Sequence, residues 1–167
     1  SDPENIVGEI VCKGPNVMLG YYKNSEATEA VIDKDGWLHT GDLATMDADG
    51  YVTVRGRSKN MLLTSSGQNI YPEEIESKLN NMPYVSESLI VLQHDKLVAL
   101  IYPDFDDAFA HGLQQTDIEK AMEANRNELN LLLPAYCQIT KVKIHFEEFE
   151  KTAKKSIKRF MYQEAKG

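Results

Sequence analysis

Two strand-like apolar runs, residues 85–92 (VSESLIVL) and 97–102 (LVALIY), stand on either side of Gln93-His94-Asp95-Lys96. That arrangement most simply makes an antiparallel hairpin, and the neighbouring segments complete a compact α/β unit. A helix begins near Pro72, with Ile75 and Leu79 on its apolar face, and Pro83 closes it off. Residues 104–115 read as a loop. Thr116-Asp117-Ile118-Glu119 is a capping-box pattern. Ile118, Met122, Asn125, Leu129 and Leu132 follow at mostly helical spacing, Asn125 alone spoiling the stripe, and Pro134 ends the helix. Residues 139–146 alternate as a strand, with Val142, Ile144 and Phe146 on one face and His145 turned outward.

The first third has a different texture. Residues 8–13 (GEIVCK) alternate as a strand, which Gly14-Pro15-Asn16 breaks. Residues 25–32 have helical spacing through Ala27, Ala30 and Val31, with Ser25 as the expected N-cap and Asp35-Gly36 as the stop. Asp49-Gly50 between DLATM and YVTVRG is a strong hairpin signal. This part is β-rich and too small to close a core comfortably by itself.

A chain of 167 residues can bury a real core and suits one domain, or one domain with an appendage. A net charge of −8 argues against a nucleic-acid surface, which needs a basic face. Cys12 and Cys137 are far apart, which suits reduced thiols in a cytosolic protein rather than zinc or a disulfide framework. No HExxH or Cys/His cluster suggests a protein-held metal. No apolar run approaches the roughly 20 residues of a membrane span. The start, SDPENIVGEI, reads as a strand entry of an excised fragment rather than as a signal peptide.

Chemistry-bearing residues gather in three places. Asp42, in His39-Thr40-Gly41-Asp42, follows a strand-like run. It can accept hydrogen bonds from a ribose diol or simply cap a turn. Residues 56–76, GRSKNMLLTSSGQNIYPEEIE, join the basic Arg57 and Lys59 to a polar loop around Gly67 and an acidic helix start. Small residues beside a glycine let a ligand approach the backbone. Glu73, Glu74 and Glu76 read most simply as carboxylates complementing the positive helix end. Residues 149–160 are basic, which suits a solvated tail or a weak anionic-membrane patch.

The order Thr40-Gly41-Asp42, Asp47-Ala48-Asp49-Gly50-Tyr51, Gly56-Arg57, followed by residues 56–76, resembles the adenylate-forming (AMP-binding) superfamily. The detailed wording of residues 56–76 is most similar to bacterial long-chain fatty acid–CoA ligases. The resemblance implies an α+β fold: a small mobile C-terminal lid, made of a β-hairpin and a mixed sheet flanked by helices. A β-rich tail of a large N-terminal AMP-binding domain would precede it. Residues 1–55 would be that tail, 56–59 a hinge and 60–167 the lid.

The same resemblance implies that Asp42 holds the ATP ribose and Arg57 the ribose or phosphate. Lys59 would be the hinge residue, and Ser66, Gly67 and Asn69 would line the passage for CoA. The tail resembles a motif of the form PKTxxGKIxR. Anchored on Lys151-Thr152, Ile157 and Arg159, its glycine falls on Lys155 and its catalytic lysine on Ser156. A hydroxyl supplies no cation, so either Lys155 or Lys154 reaches in through a shifted loop, or adenylation is poor.

The implied parent enzyme joins a fatty acid to CoA through an acyl-adenylate. ATP, CoA and Mg²⁺ would be substrates and ion of the full-length protein, with none held tightly by this fragment. Its partner would be its own N-terminal domain, its place the cytoplasm or the inner membrane face, and the isolated chain would be inactive. Two other readings stay open: a carrier-protein-loading or peptide-synthetase adenylation enzyme, and a non-catalytic interaction module.

Overall fold

A computed structural model describes residues 6–163, and the chain forms two compact units that divide between Lys59 and Asn60. The first unit is a three-stranded antiparallel sheet of β1 (Gly8–Cys12), β2 (Leu38–Met46) and β3 (Val52–Arg57), in the order β1-β2-β3. Asp47 closes the β2–β3 turn by accepting the Asp49 amide at 3.0 Å and the Tyr51 amide at 2.8 Å. Gly50 supplies the left-handed residue of that turn, φ 86°.

The helix α1 (Ser25–Glu29) is shorter than its spacing predicts. Its N-cap is Asn24, not Ser25, because the Asn24 side-chain oxygen accepts the Ala27 amide at 3.0 Å. Val31 and Ile32 leave the helix to join β2. The His39 amide donates to the Val31 carbonyl at 2.7 Å, and Ile32 bridges Leu38. Few side chains here are buried. Ala44 and Thr45 are, whereas Tyr22, Tyr51, Val52 and Val54 are all more than half exposed.

A bulge distorts the centre of this sheet. Glu9 pairs with Leu43 and Val11 with His39, so one residue of β1 faces Thr40, Gly41 and Asp42 of β2. Such irregularities re-aim side chains, and here side-chain hydrogen bonds tie the bulge down. Thr40 Oγ1 donates to the Ile10 carbonyl at 2.7 Å and accepts the Asp42 amide at 3.1 Å, while Glu9 Oε1 accepts the Gly41 amide at 2.9 Å. The other Glu9 oxygen lies 2.8 Å from His39 Nδ1, and Asp33 lies 3.6 Å from its Nε2. His39 is therefore pushed above its ordinary imidazole value, mainly by the hydrogen bond to Glu9. Glu9 falls below the usual carboxylate range for the same reason.

The second unit is built on a three-stranded mixed sheet, ordered β6-β7-β8. The strand β6 (Val85–Gln93) runs antiparallel to β7 (Lys96–Pro103), which is parallel to β8 (Ile139–Ile144). A short hairpin of β4 (Leu62–Leu63) and β5 (Asn69–Ile70) leads into α2 (Pro72–Leu79). The connection from β7 to the parallel β8 runs through α3 (Phe105–Ala110) and α4 (Gln115–Leu132). The fold is the expected α+β arrangement of hairpins and a mixed sheet flanked by helices.

Alternate residues of β6 and β7 serve two cores. Ile90, Ala99 and Ile101 pack with Ile75 and Leu79 of α2 and with Ile118, Met122 and Leu129 of α4. Leu89, Val91, Val98 and Leu100 point the other way, where Phe149, Ile157 and Tyr162 cover them. The basic C-terminal segment is thus anchored on the sheet by these residues, while residues 152–156 stay exposed.

Several local expectations need correction. Residues 104–115 are not a loop throughout. Asp104 caps α3 by accepting the Asp107 amide at 3.0 Å, and Ala108 is fully buried. The capping box of α4 uses Gln114 and Asp117, two positions before Thr116. Asn125 does not break the stripe, since it is buried and donates to the Pro83 carbonyl at 2.9 Å. His145 is half-buried rather than outward, its ring 4.8 Å from Phe149, and burial pushes it below its ordinary value.

Glu76 also does more than complement a helix end. Its side chain is 9% exposed. It accepts the Ile90 amide on the open side of the edge strand β6 at 2.7 Å and takes both arms of the Arg159 guanidinium. Burial pushes its carboxyl up, against the pull of Arg159 and the Ile90 amide.

The C-terminal segment closes in a small hairpin. Lys158 N donates to Glu150 O at 2.8 Å, Lys151 bridges Ile157, and Thr152 N donates to Ser156 O at 2.8 Å. Lys155 N donates back to Thr152 O at 2.9 Å, and Lys155 itself has φ 60°. This is a three-residue connection whose last residue is left-handed, a position that favours glycine.

Two outcomes follow from these geometries. Lys155→Gly relieves the left-handed strain and is expected to raise stability by about 0.5–1 kcal/mol, whereas Lys154→Gly lowers it; denaturant midpoints check both. The Glu9–His39 pair acts in a bounded pH window. The His39 contribution is present below its unfolded value and fades as pH rises through the raised folded one. The Glu9 contribution is present above its unfolded value and is lost as pH falls through the lowered folded one. Glu9→Gln should return the His39 titration, followed by NMR, toward the ordinary imidazole value.

Candidate functional site

Asp42 and Arg57 are brought together by strand pairing. They are cross-strand partners of β2 and β3, and Arg57 Nη1 donates to Asp42 Oδ1 at 2.7 Å. Both side chains keep substantial exposure, 35% for Asp42 and 47% for Arg57, so solvent screens the pair and a ligand can approach it. Gly41 is required between them and the bulge. Its φ is 73°, and a Cβ there would lie 3.3 Å from Arg57 Nη2. A carboxylate and a guanidinium fork held side by side can together meet a diol and an adjacent anion.

Lys59 is exposed, in the 3₁₀ turn Ser58–Asn60 that follows β3. Ser66, Gly67 and Asn69 belong to the β4–β5 hairpin. Ser66 and Gly67 lie in its exposed loop, and Asn69 pairs with Leu63 at the base. Thr64 organises this loop: its Oγ1 lies 2.9 Å from Ser66 Oγ and accepts the Gln68 amide at 3.1 Å. Gly67 has φ 79°, with open space where a Cβ would stand.

Lys154, Lys155 and Ser156 lie on the exposed tip of the C-terminal hairpin. Lys151 beneath them pairs with Glu87 at 2.7 Å and with Glu148 at 3.1 Å. The ladder below the tip keeps a regular register on both sides. Among the described residues no group of three or more His, Cys, Asp or Glu could hold a metal ion. No described helix is long and apolar enough to cross a membrane.

Glu9, His39, Glu76 and Asp95 support the structure around these residues; sequence reading gave Glu9, His39 and Asp95 no role and Glu76 only that of a helix-start carboxylate. A signal existed for Glu76: Pro72, Ile75, Glu76 and Leu79 form one stripe at helical spacing, and all are buried. A charge on such a stripe calls for a partner, but Arg159 lies 83 residues away. The Glu9–His39 contact depends on strand register and bulge geometry, which spacing does not reveal.

Comparison with known proteins agrees with the fold. A probable acyl-activating enzyme of Arabidopsis thaliana is 35% identical over 158 residues, covering 95% of this chain and 28% of that protein. A 2-succinylbenzoate–CoA ligase of Bacillus cytotoxicus is 47% identical over 94 residues, 56% of this chain and 19% of its own length. Among solved structures, o-succinylbenzoate CoA synthetase from Bacillus subtilis, in complex with its acyl-adenylate intermediate, superposes with a TM-score of 0.73. It is 26% identical, over 97% of this chain and 31% of that one. The chain thus spans under a third of the length of these relatives. The profile of the AMP-binding enzyme C-terminal domain matches residues 59–165. With that match and these relatives, the chain belongs to the adenylate-forming superfamily through its AMP-binding enzyme C-terminal domain.

Proposed function

We propose that the chain acts as the C-terminal part of an ATP-dependent acid–thiol ligase, which activates a carboxylic acid as its adenylate and then transfers the acyl group to CoA. The observation that carries this reading is the Asp42–Arg57 pair, held on adjacent strands at 2.7 Å beside the Gly41 bulge. Asp42 accepts the ribose hydroxyls of ATP. Arg57 donates to Asp42 and to the ribose or phosphate oxygens, a task suited to its planar fork. Mg²⁺ enters with the triphosphate, held mainly by phosphate oxygens and by residues of the large domain.

Lys59 serves as the hinge, where a few backbone rotations swing residues 60–167 between the two half-reactions. Ser66, Gly67 and Asn69 face the pantetheine arm of CoA, along the open flank of Gly67. The partner is the large N-terminal AMP-binding domain, and its contact would cover apolar side chains such as Val52 and Val54 that this unit leaves exposed. The wording of residues 56–76 supports a long-chain fatty acid as the acid. We place the enzyme in the cytoplasm, with Lys154, Lys155 and Lys158 available for weak contact with an anionic membrane face.

Residue 156 occupies the position of the superfamily's catalytic lysine. The left-handed turn at Lys155, φ 60°, is the place a glycine would take in PKTxxGKIxR, which supports that alignment. Ser156 offers a neutral donor where a cation would stabilise the developing charge of adenylation.

In the full-length ligase, Asp42→Ala and Arg57→Ala are each expected to lower kcat/KM for ATP in pyrophosphate exchange by about 10- to 100-fold, the range for losing hydrogen bonds to charged groups. The chain of residues 1–167 alone should form no acyl-CoA. Wild-type ATP dependence in Asp42→Ala, or thioester formation by the isolated chain, would contradict the reading.

A further inference from the structure

The β6–β7 turn and the loop of residues 64–68 are joined by one side chain. His94 and Asp95 both have left-handed backbone, φ 48° and 59°, as the central pair of a two-residue type I′ turn does. Glycine is the preferred residue at the second position, and any L-residue there is strained. Asp95 occupies it nonetheless, and its carboxylate reaches Ser65, which donates its amide to Oδ1 at 2.8 Å and its hydroxyl to Oδ2. These two donors hold the Asp95 carboxyl below the usual carboxylate range.

The other hydrogen bonds of the loop are internal. Thr64 Oγ1 meets Ser66 Oγ and the Gln68 amide, and the Gly67 amide donates to Thr64 O at 3.0 Å. They give the loop its shape without fixing where it stands. The bidentate contact of Asp95 supplies that fix, from a hairpin whose strands are buried on both faces.

We infer that Asp95 is a positioning residue for the thiol substrate: by gripping Ser65 it holds Ser66 and Gly67 where the CoA arm passes, and so sets the affinity for CoA. This rests on the reading of residues 66–69 as the CoA-facing loop. A flexible loop would have to be ordered at each binding event, and an anchored one is already in place. The adenylation step does not use this loop, so its rate is independent of the anchor.

The test uses Asp95→Gly in the full-length ligase, which removes the anchor while relieving the turn. The CoA KM is expected to rise about five- to tenfold, the effect of one or two lost hydrogen bonds, with kcat and ATP–pyrophosphate exchange unchanged. Asp95→Asn, which keeps an acceptor for the Ser65 amide, should recover part of the loss. Ser65→Ala probes the same contact from the loop side, with a rise of about threefold expected. In the 167-residue chain, amide hydrogen exchange at residues 65–68 should quicken about tenfold in Asp95→Gly. A wild-type CoA KM in both Asp95→Gly and Ser65→Ala overturns the proposal. Gly67→Val separates it from the reading beneath. If that change raises the CoA KM and loss of the anchor does not, only the role of Asp95 falls. If none of these variants alters it, the CoA-facing loop falls as well.

Discussion

The second unit depends on a sheet that must be covered twice. Helices α2 and α4 cover one face of β6 and β7, and the segment after β8 covers the other, with Phe149 only 2% exposed. Burying a side chain of that kind contributes about 1.5–3 kcal/mol. The Glu76–Arg159 pair then locks the covering segment to α2. Removing Arg159 alone would leave a buried carboxylate uncompensated, at a cost of about 3–5 kcal/mol. The clamp also satisfies the Ile90 amide of an edge strand, which would otherwise be open to pairing. The exposed tip of residues 153–156 is therefore carried on a rigid base, and its register is set by packing several residues away.

The first unit solves a different problem with less burial. Its sheet is distorted twice, where one residue of β1 faces three of β2 and where β3 carries the extra residue Arg55, and beside these irregularities Asp42 pairs with Arg57. Glu9 holds the distortion from the neighbouring strand, through the Gly41 amide and the His39 ring. Geometry of this kind suits a site that must offer polar edges to a ligand while keeping its own backbone groups bonded.

Much of the fold was legible in the sequence because it is local. The runs 85–92 and 97–102 form the expected hairpin, Pro72 stands at the first turn of α2, and Asp49-Gly50 makes the β2–β3 turn. What escaped was short or distant. The helix α3 has six residues, too few for periodicity to register, and rests on the Asp104 cap. Asn125 looked like a flaw until its partner, the Pro83 carbonyl, was placed 42 residues away. The grouping of Asp42 with Arg57 was readable from motif order. Their support by Glu9, and the gripping of Ser65 by Asp95, required the strands in register.

The regular ladder and the left-handed Lys155 give the central claim about chemistry its direct test. Under the proposed alignment, position 156 rather than 155 stands in place of the catalytic lysine. Pyrophosphate exchange by the full-length ligase should rise roughly tenfold or more in Ser156→Lys, since one well-placed charge-stabilising donor is commonly worth about 100-fold or more. Lys155→Ala should leave it unchanged. Loss of exchange in Lys155→Ala, with no gain in Ser156→Lys, would contradict the account.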